Sequence, residues 1–76
     1  MNNTAALISL EPSVVSDREK EVLILISYGY SMKEVASELF VSYHTINSHR
    51  KNLMNKLEAR NIASLIRKGF ELGILY

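Results

Sequence analysis

Residues 31–57 read SMKEVASELFVSYHTINSHRKNLMNKL, and two apolar patterns run through them. Val35, Ala36 and Leu39 fall on one helix face, while Lys33, Ser37 and Glu38 point away from it. Beyond the short link Phe40-Val41, the residues Ile46, Leu53, Met54 and Leu57 form a second stripe at helical spacing, with His49 or Arg50 filling the turn between. Ser31 with Glu34 three residues on is a capping box, in which the serine accepts from a free backbone N–H and the glutamate reaches back. Ser42 with Thr45 is a weaker version of the same signal. The spacing therefore predicts helices over about Met32–Leu39 and Tyr43–Leu57. Two residues of link force a sharp angle between them. Ala36 is small where the helices must cross, Ile46 is branched where the later helix packs back, and Val35, Leu39 and Val41 fill the remaining inward positions. This is the layout of a helix-turn-helix, covering about residues 32–51. Its second helix stands out as a ridge that fits a groove about 12 Å wide.

The flanks read in the same way. Ser16 and Glu19 form a further capping box, which opens a helix over about Asp17–Tyr28. Its run Val22-Leu23-Ile24-Leu25-Ile26 is also compatible with a buried strand. The box and the acidic first turn of Asp17, Glu19 and Glu21, near the positive end of the helix dipole, decide for a helix. Apolar cover on nearly all sides makes it a central helix packed on two sides, and Gly29 supplies a left-handed stop. Asn61 caps a last helix over about Ile62–Leu72, with Ile62, Leu65, Ile66 and Phe70 on one face. Gly73 ends it, and Ile74-Leu75-Tyr76 is expected to fold back as an apolar tail. Residues 1–15 show no periodicity and read as a flexible arm; Leu7-Ile8-Ser9-Leu10 within it serves no evident element. The expected fold class is all-α: one four-helix helix-turn-helix domain over 16–76, with the third helix as recognition helix.

Composition narrows the function classes. Hydrophobic residues make up 47% of the 76, which excludes a disordered chain. A domain this small buries only about 60% of its unfolded surface, and oligomerisation is a common way to add more. The absence of cysteine removes disulfides and thiolate metal sites. His44 and His49 are five residues apart and do not share a helix face, so no metal is expected. Ser42, His44 and Ser48 lack an acid to orient a base; no catalytic residue and no cofactor are expected, and the chain is not read as an enzyme. Ala5-Ala6-Leu7-Ile8 is too short to cross a membrane and has no basic leader, so a cytoplasmic protein without a membrane partner is expected. The net charge is only +1, but residues 1–40 hold three basic and six acidic side chains, and residues 41–76 six basic and two acidic. Positive charge gathers in the second half, as a polyanion-binding face needs; a solvated helix face accounts for charge alone equally well.

The third helix tips that balance. With Ile46, Leu53 and Leu57 inward, Tyr43, His44, Asn47, Ser48, Lys51 and Asn55 are expected at the surface, and no acidic residue appears before Glu58. A purely solvated face mixes both signs. Asparagine can bond an adenine edge and lysine a guanine edge.

The strings Arg18-Glu19-Lys20-Glu21-Val22-Leu23, Gly29-Tyr30-Ser31-Met32-Lys33-Glu34-Val35-Ala36, Leu39, Val41-Ser42, Thr45-Ile46, His49-Arg50 and Lys56-Leu57 together resemble the LuxR-type (GerE-type) helix-turn-helix of bacterial transcription regulators. The resemblance covers about residues 15–75. It implies sequence-specific binding of double-stranded DNA, with Asn47, Ser48 and Lys51 at base-reading positions. By the same resemblance Lys33, Tyr43, Thr45, His49, Arg50 and Lys56 contact phosphate or backbone. The resemblance also implies a homodimer through the fourth helix, around Ala63, Arg67 and Glu71, with RNA polymerase as an expected further partner. Ser16 and Asp17 stand where the family often has threonine and proline, and both still cap. The competing class is a protein-interaction module that keeps the fold without DNA binding; the amide and basic residues of the third helix argue against it.

Overall fold

The computed structural model describes residues 15–76. Over these the chain forms four helices and no strand: α1 Asp17–Ser27, α2 Met32–Leu39, α3 Tyr43–Lys56 and α4 Ile62–Glu71. The expected all-α helix-turn-helix is the observed one, and each helix ends within one residue of its expected limit. The arm expected at 1–15 lies outside the described residues except for Val15, which is buried at 3% exposure rather than free.

Each helix starts where a side chain supplies a missing partner. Ser16 accepts from the Glu19 N–H at 3.1 Å, and Glu19 Oε1 accepts from the Ser16 N–H at 3.0 Å. Ser31 and Glu34 repeat the exchange at 3.1 and 2.8 Å. Ser42 accepts from Thr45 N–H at 3.0 Å, and Asn61 accepts from Ser64 N–H at 2.8 Å. Such a cap contributes about 1 kcal/mol to its helix. The stops differ. Gly29 turns the chain at φ 93°, as expected, but α2 ends on Phe40 at φ 57°. A side chain in that left-handed region costs about 1–2 kcal/mol, and Phe40 is 94% exposed, so no packing of its ring offsets the cost. The strained residue gives the two-residue link its sharp bend: Val41 N–H reaches back to Ala36 O at 3.1 Å.

One core joins the four helices. Val22, Leu23, Val35, Ile46, Leu53, Leu57 and Leu65 are fully buried, each stabilising the fold by about 1.5–3 kcal/mol relative to exposure. α1 touches each of the other three helices, the central position its apolar run implied. Ala36, 6% exposed, sits in this core with Ile46. In α4 the inward residue after Leu65 is Gly69, while Phe70 is 54% exposed instead of packed inward. The reason is the tail. Ile74 and Leu75 fold back and donate to Gly69 O at 2.9 and 3.0 Å. A Cβ on Gly69 would lie 2.8 Å from Leu75 Cδ1.

Candidate nucleic-acid interface

α3 is amphipathic across its width. Burying Ile46, Leu53 and Leu57 leaves a strip along the opposite side, and His44, Ser48, Lys51, Asn52 and Asn55 on it are exposed. Fourteen residues give this strip a length of about 21 Å. From Ser42 to Leu57 the chain carries no carboxylate, so nothing on the strip repels a phosphate.

The remaining expected site residues divide between two flanks. On one, Tyr43 is exposed while Asn47 and Arg50 are half-buried. They line an open notch with Tyr30, Ser31 and Met32, at the turn between α1 and α2. Asn47 was expected at the open surface; its place one turn after Tyr43 brings it to the edge of this notch instead. Arg50 lies lengthwise on its own helix, its Nη1 3.3 Å from Met54 Sδ. On the other flank Thr45 and His49 are half-buried, and the Thr45 and Ser42 hydroxyls are 2.9 Å apart. Lys33 is exposed on the first turn of α2. The structure thus brings Ser48 and Lys51 together on the outward strip, with Asn47 beside them. Asn52, not singled out by the sequence pattern, shares that strip.

Lys56 occupies a different setting. Its Nζ donates to both carboxylate oxygens of Glu19, at 2.8 and 3.1 Å, and Glu19 is 4% exposed. Burial pushes the Glu19 carboxyl up. The hydrogen bonds from Lys56 and the Ser16 N–H and hydroxyl, together with the Lys56 charge, outweigh it and hold the group below its ordinary value. One carboxylate therefore completes the cap of α1 and ties down the last turn of α3. No periodicity rule links positions 19 and 56, so the pair leaves no signature in the order of residues.

On α4, Ala63, Arg67 and Glu71 are exposed. Arg67 Nε lies 3.1 Å from Glu71 Oε2, an exposed pair of little energetic weight. Among the described residues no cluster of histidine and acid side chains could hold a metal ion, and no helix is long and apolar enough to cross a membrane.

Comparison with known proteins gives one family. Residues 13–68 match the model described as bacterial regulatory proteins, luxR family. Among curated proteins, the oxygen regulatory protein NreC of Staphylococcus carnosus is 37% identical over 62 residues, which is 82% of this chain and 29% of that protein. The proteins of the same name from Staphylococcus haemolyticus and Staphylococcus aureus are 36% and 37% identical over the same shares. The chain spans under a third of the length of these relatives.

Proposed function

We propose that this chain, which belongs to the luxR family of bacterial regulatory proteins, regulates transcription by inserting α3 into the major groove of specific double-stranded DNA. The observation that carries the reading is the outward strip of α3, where hydrogen-bonding side chains stand exposed and no carboxylate interrupts them. Ser48 and Lys51, with Asn47 at the strip's edge, read base edges. Lys33, Tyr43, Thr45, His49 and Arg50 hold the phosphate backbone, which fixes register without carrying sequence information. The affinity comes largely from counterions released as these cations neutralise phosphates. Lys56 was expected among them; its two bonds to Glu19 support a structural role, and we leave it out of the phosphate set.

The protein acts in the cytoplasm as a homodimer on an inverted repeat. Ala63, Arg67 and Glu71 of α4 lie about the two-fold axis, and RNA polymerase is its partner in regulation. The exposure of all three residues supports this surface, and a two-fold protein implies half-sites related by the same symmetry.

Selection of bound duplexes from a random pool tests the reading. An enriched half-site repeated in inverted orientation at fixed spacing is the expected result. If no duplex is retarded in a gel at low salt and high protein concentration, the chain is a protein-interaction module instead.

A further inference from the structure

The open notch beside α3 has a volume of about 470 Å³, within the range of about 300–1,000 Å³ of sites that take a small ligand. Tyr43, Asn47 and Arg50 form its α3 side, and Tyr30 lines it from the turn between α1 and α2. Ile26, Met32 and Ile62 supply the apolar lining. We propose that this notch seats the sugar–phosphate backbone of one DNA strand, and that the Tyr30 hydroxyl donates to a phosphate there. The inference rests on the DNA reading above and adds to it a contact from outside α2 and α3.

A helix lying in a major groove has a backbone along each of its flanks. The flank of Tyr43, Asn47 and Arg50 is the one that opens into the notch, so the strand on that side passes its mouth. The charges suit a phosphate. No carboxylate lines the notch, and Glu34 has its carboxylate in the α2 cap, 2.8 Å from the Ser31 nitrogen. Among the described residues no carboxylate pairs with Arg50, which leaves its charge for an anion. Donors are free as well. Among the described residues the side chains of Tyr30, Tyr43 and Asn47 make no hydrogen bond within the protein. Tyr30 is 37% exposed and Tyr43 50%.

Tyr30 is held in place before any ligand arrives. Gly29 turns the chain at φ 93°, Tyr30 N–H donates to Leu25 O at 3.2 Å, and the next residue, Ser31, caps α2. A contact from a fixed backbone has less ordering entropy to lose on binding. The mixture of surfaces selects the occupant. An apolar lining with donors beside it fits deoxyribose next to phosphate, whereas a bare anion leaves the apolar part unfilled.

Tyr30→Phe keeps the ring and removes the hydroxyl. Against the duplex recovered by selection, it should weaken binding about tenfold, the low end for a hydrogen bond to a charged group. A neutral donor releases no counterion, so the slope of log K against log salt should stay the same. In duplexes with a single phosphate replaced by methylphosphonate, one position should lose its effect on the Tyr30→Phe protein while the others keep theirs. Unchanged affinity, or effects at every position equal to those on the unaltered chain, overturns the proposal. So does a loss of affinity matched by a lower urea midpoint, which marks a structural role for the hydroxyl. If the unaltered chain binds no duplex, the DNA reading fails and this contact with it. If it binds and Tyr30→Phe binds equally well, the contact alone fails.

Discussion

Glu19 is the residue on which the most structure converges. Its carboxylate accepts from Ser16 N–H at the start of α1 and from Lys56 at the end of α3. Because its folded-state pKa is depressed, its contribution to stability is present above the unfolded value of about 4.3. It is lost as pH falls through the lower folded value. Glu19→Gln keeps the size and the capping acceptor but removes the charge. At pH 7 it should cost about 1.5–2 kcal/mol, the low part of the range for charged hydrogen bonds, since the Lys56 side chain is 38% exposed. Urea midpoints of the two proteins should converge as the pH is taken from 7 to 3; a constant gap would show that charge is not the cause. Phe40 makes the opposite prediction. Phe40→Gly removes the left-handed penalty and almost no buried surface, so it should stabilise the fold by about 0.5–1 kcal/mol after the entropy cost of glycine. Thermal or urea unfolding reads this directly.

At the scale of elements, the sequence was legible wherever the signal was local. Four N-caps, the α2 and α3 stripes and the Ala36–Ile46 crossing all lie within a few residues or one turn-and-helix unit, and all were readable from spacing. What was not readable depends on distant chain. Phe70 faces out because the returning tail takes the inward place beside Gly69. Asn47 is half-buried because the turn between α1 and α2 lies against that flank. Lys56 reads as one more basic residue until Glu19 is placed beside it. The site was therefore legible as a helix face and not as a set of roles. Three alanine variants separate those roles. Lys51→Ala should lose about 1–3 kcal/mol of specific binding and relax the preferred sequence. Lys33→Ala should weaken all duplexes alike and reduce the slope of log K against log salt by about one. Lys56→Ala should lower stability while leaving that slope unchanged. A reduced slope for Lys56→Ala would return it to the phosphate contacts.

For the whole molecule, the near-zero net charge conceals a separation of charge. Acidic side chains gather on α1 and α2, and α3 and the segment after it carry most of the cations. At physiological salt, charges more than about 8 Å apart are largely screened, so a polyanion approaching α3 meets mainly its cations. Overall charge was therefore a poor guide to function, and the charge of one exposed strip a good one.

The bond between Glu19 and Lys56 also orders events in time. It joins positions 37 residues apart, and closing a loop of that length costs about 3 kcal/mol beyond a constant. A chain emerging from the ribosome makes the α1 cap early but acquires the partner of its buried carboxylate only when α3 is complete. The clasp is therefore expected to form late, after the folding transition state. Lys56→Ala should accordingly speed unfolding about tenfold and leave the refolding rate nearly unchanged, a φ-value near zero. Stopped-flow refolding and unfolding in urea would show it, and a slowed refolding arm would place the clasp in the nucleus instead. A contact of this kind sets how long the folded domain lasts and has little effect on how quickly it forms.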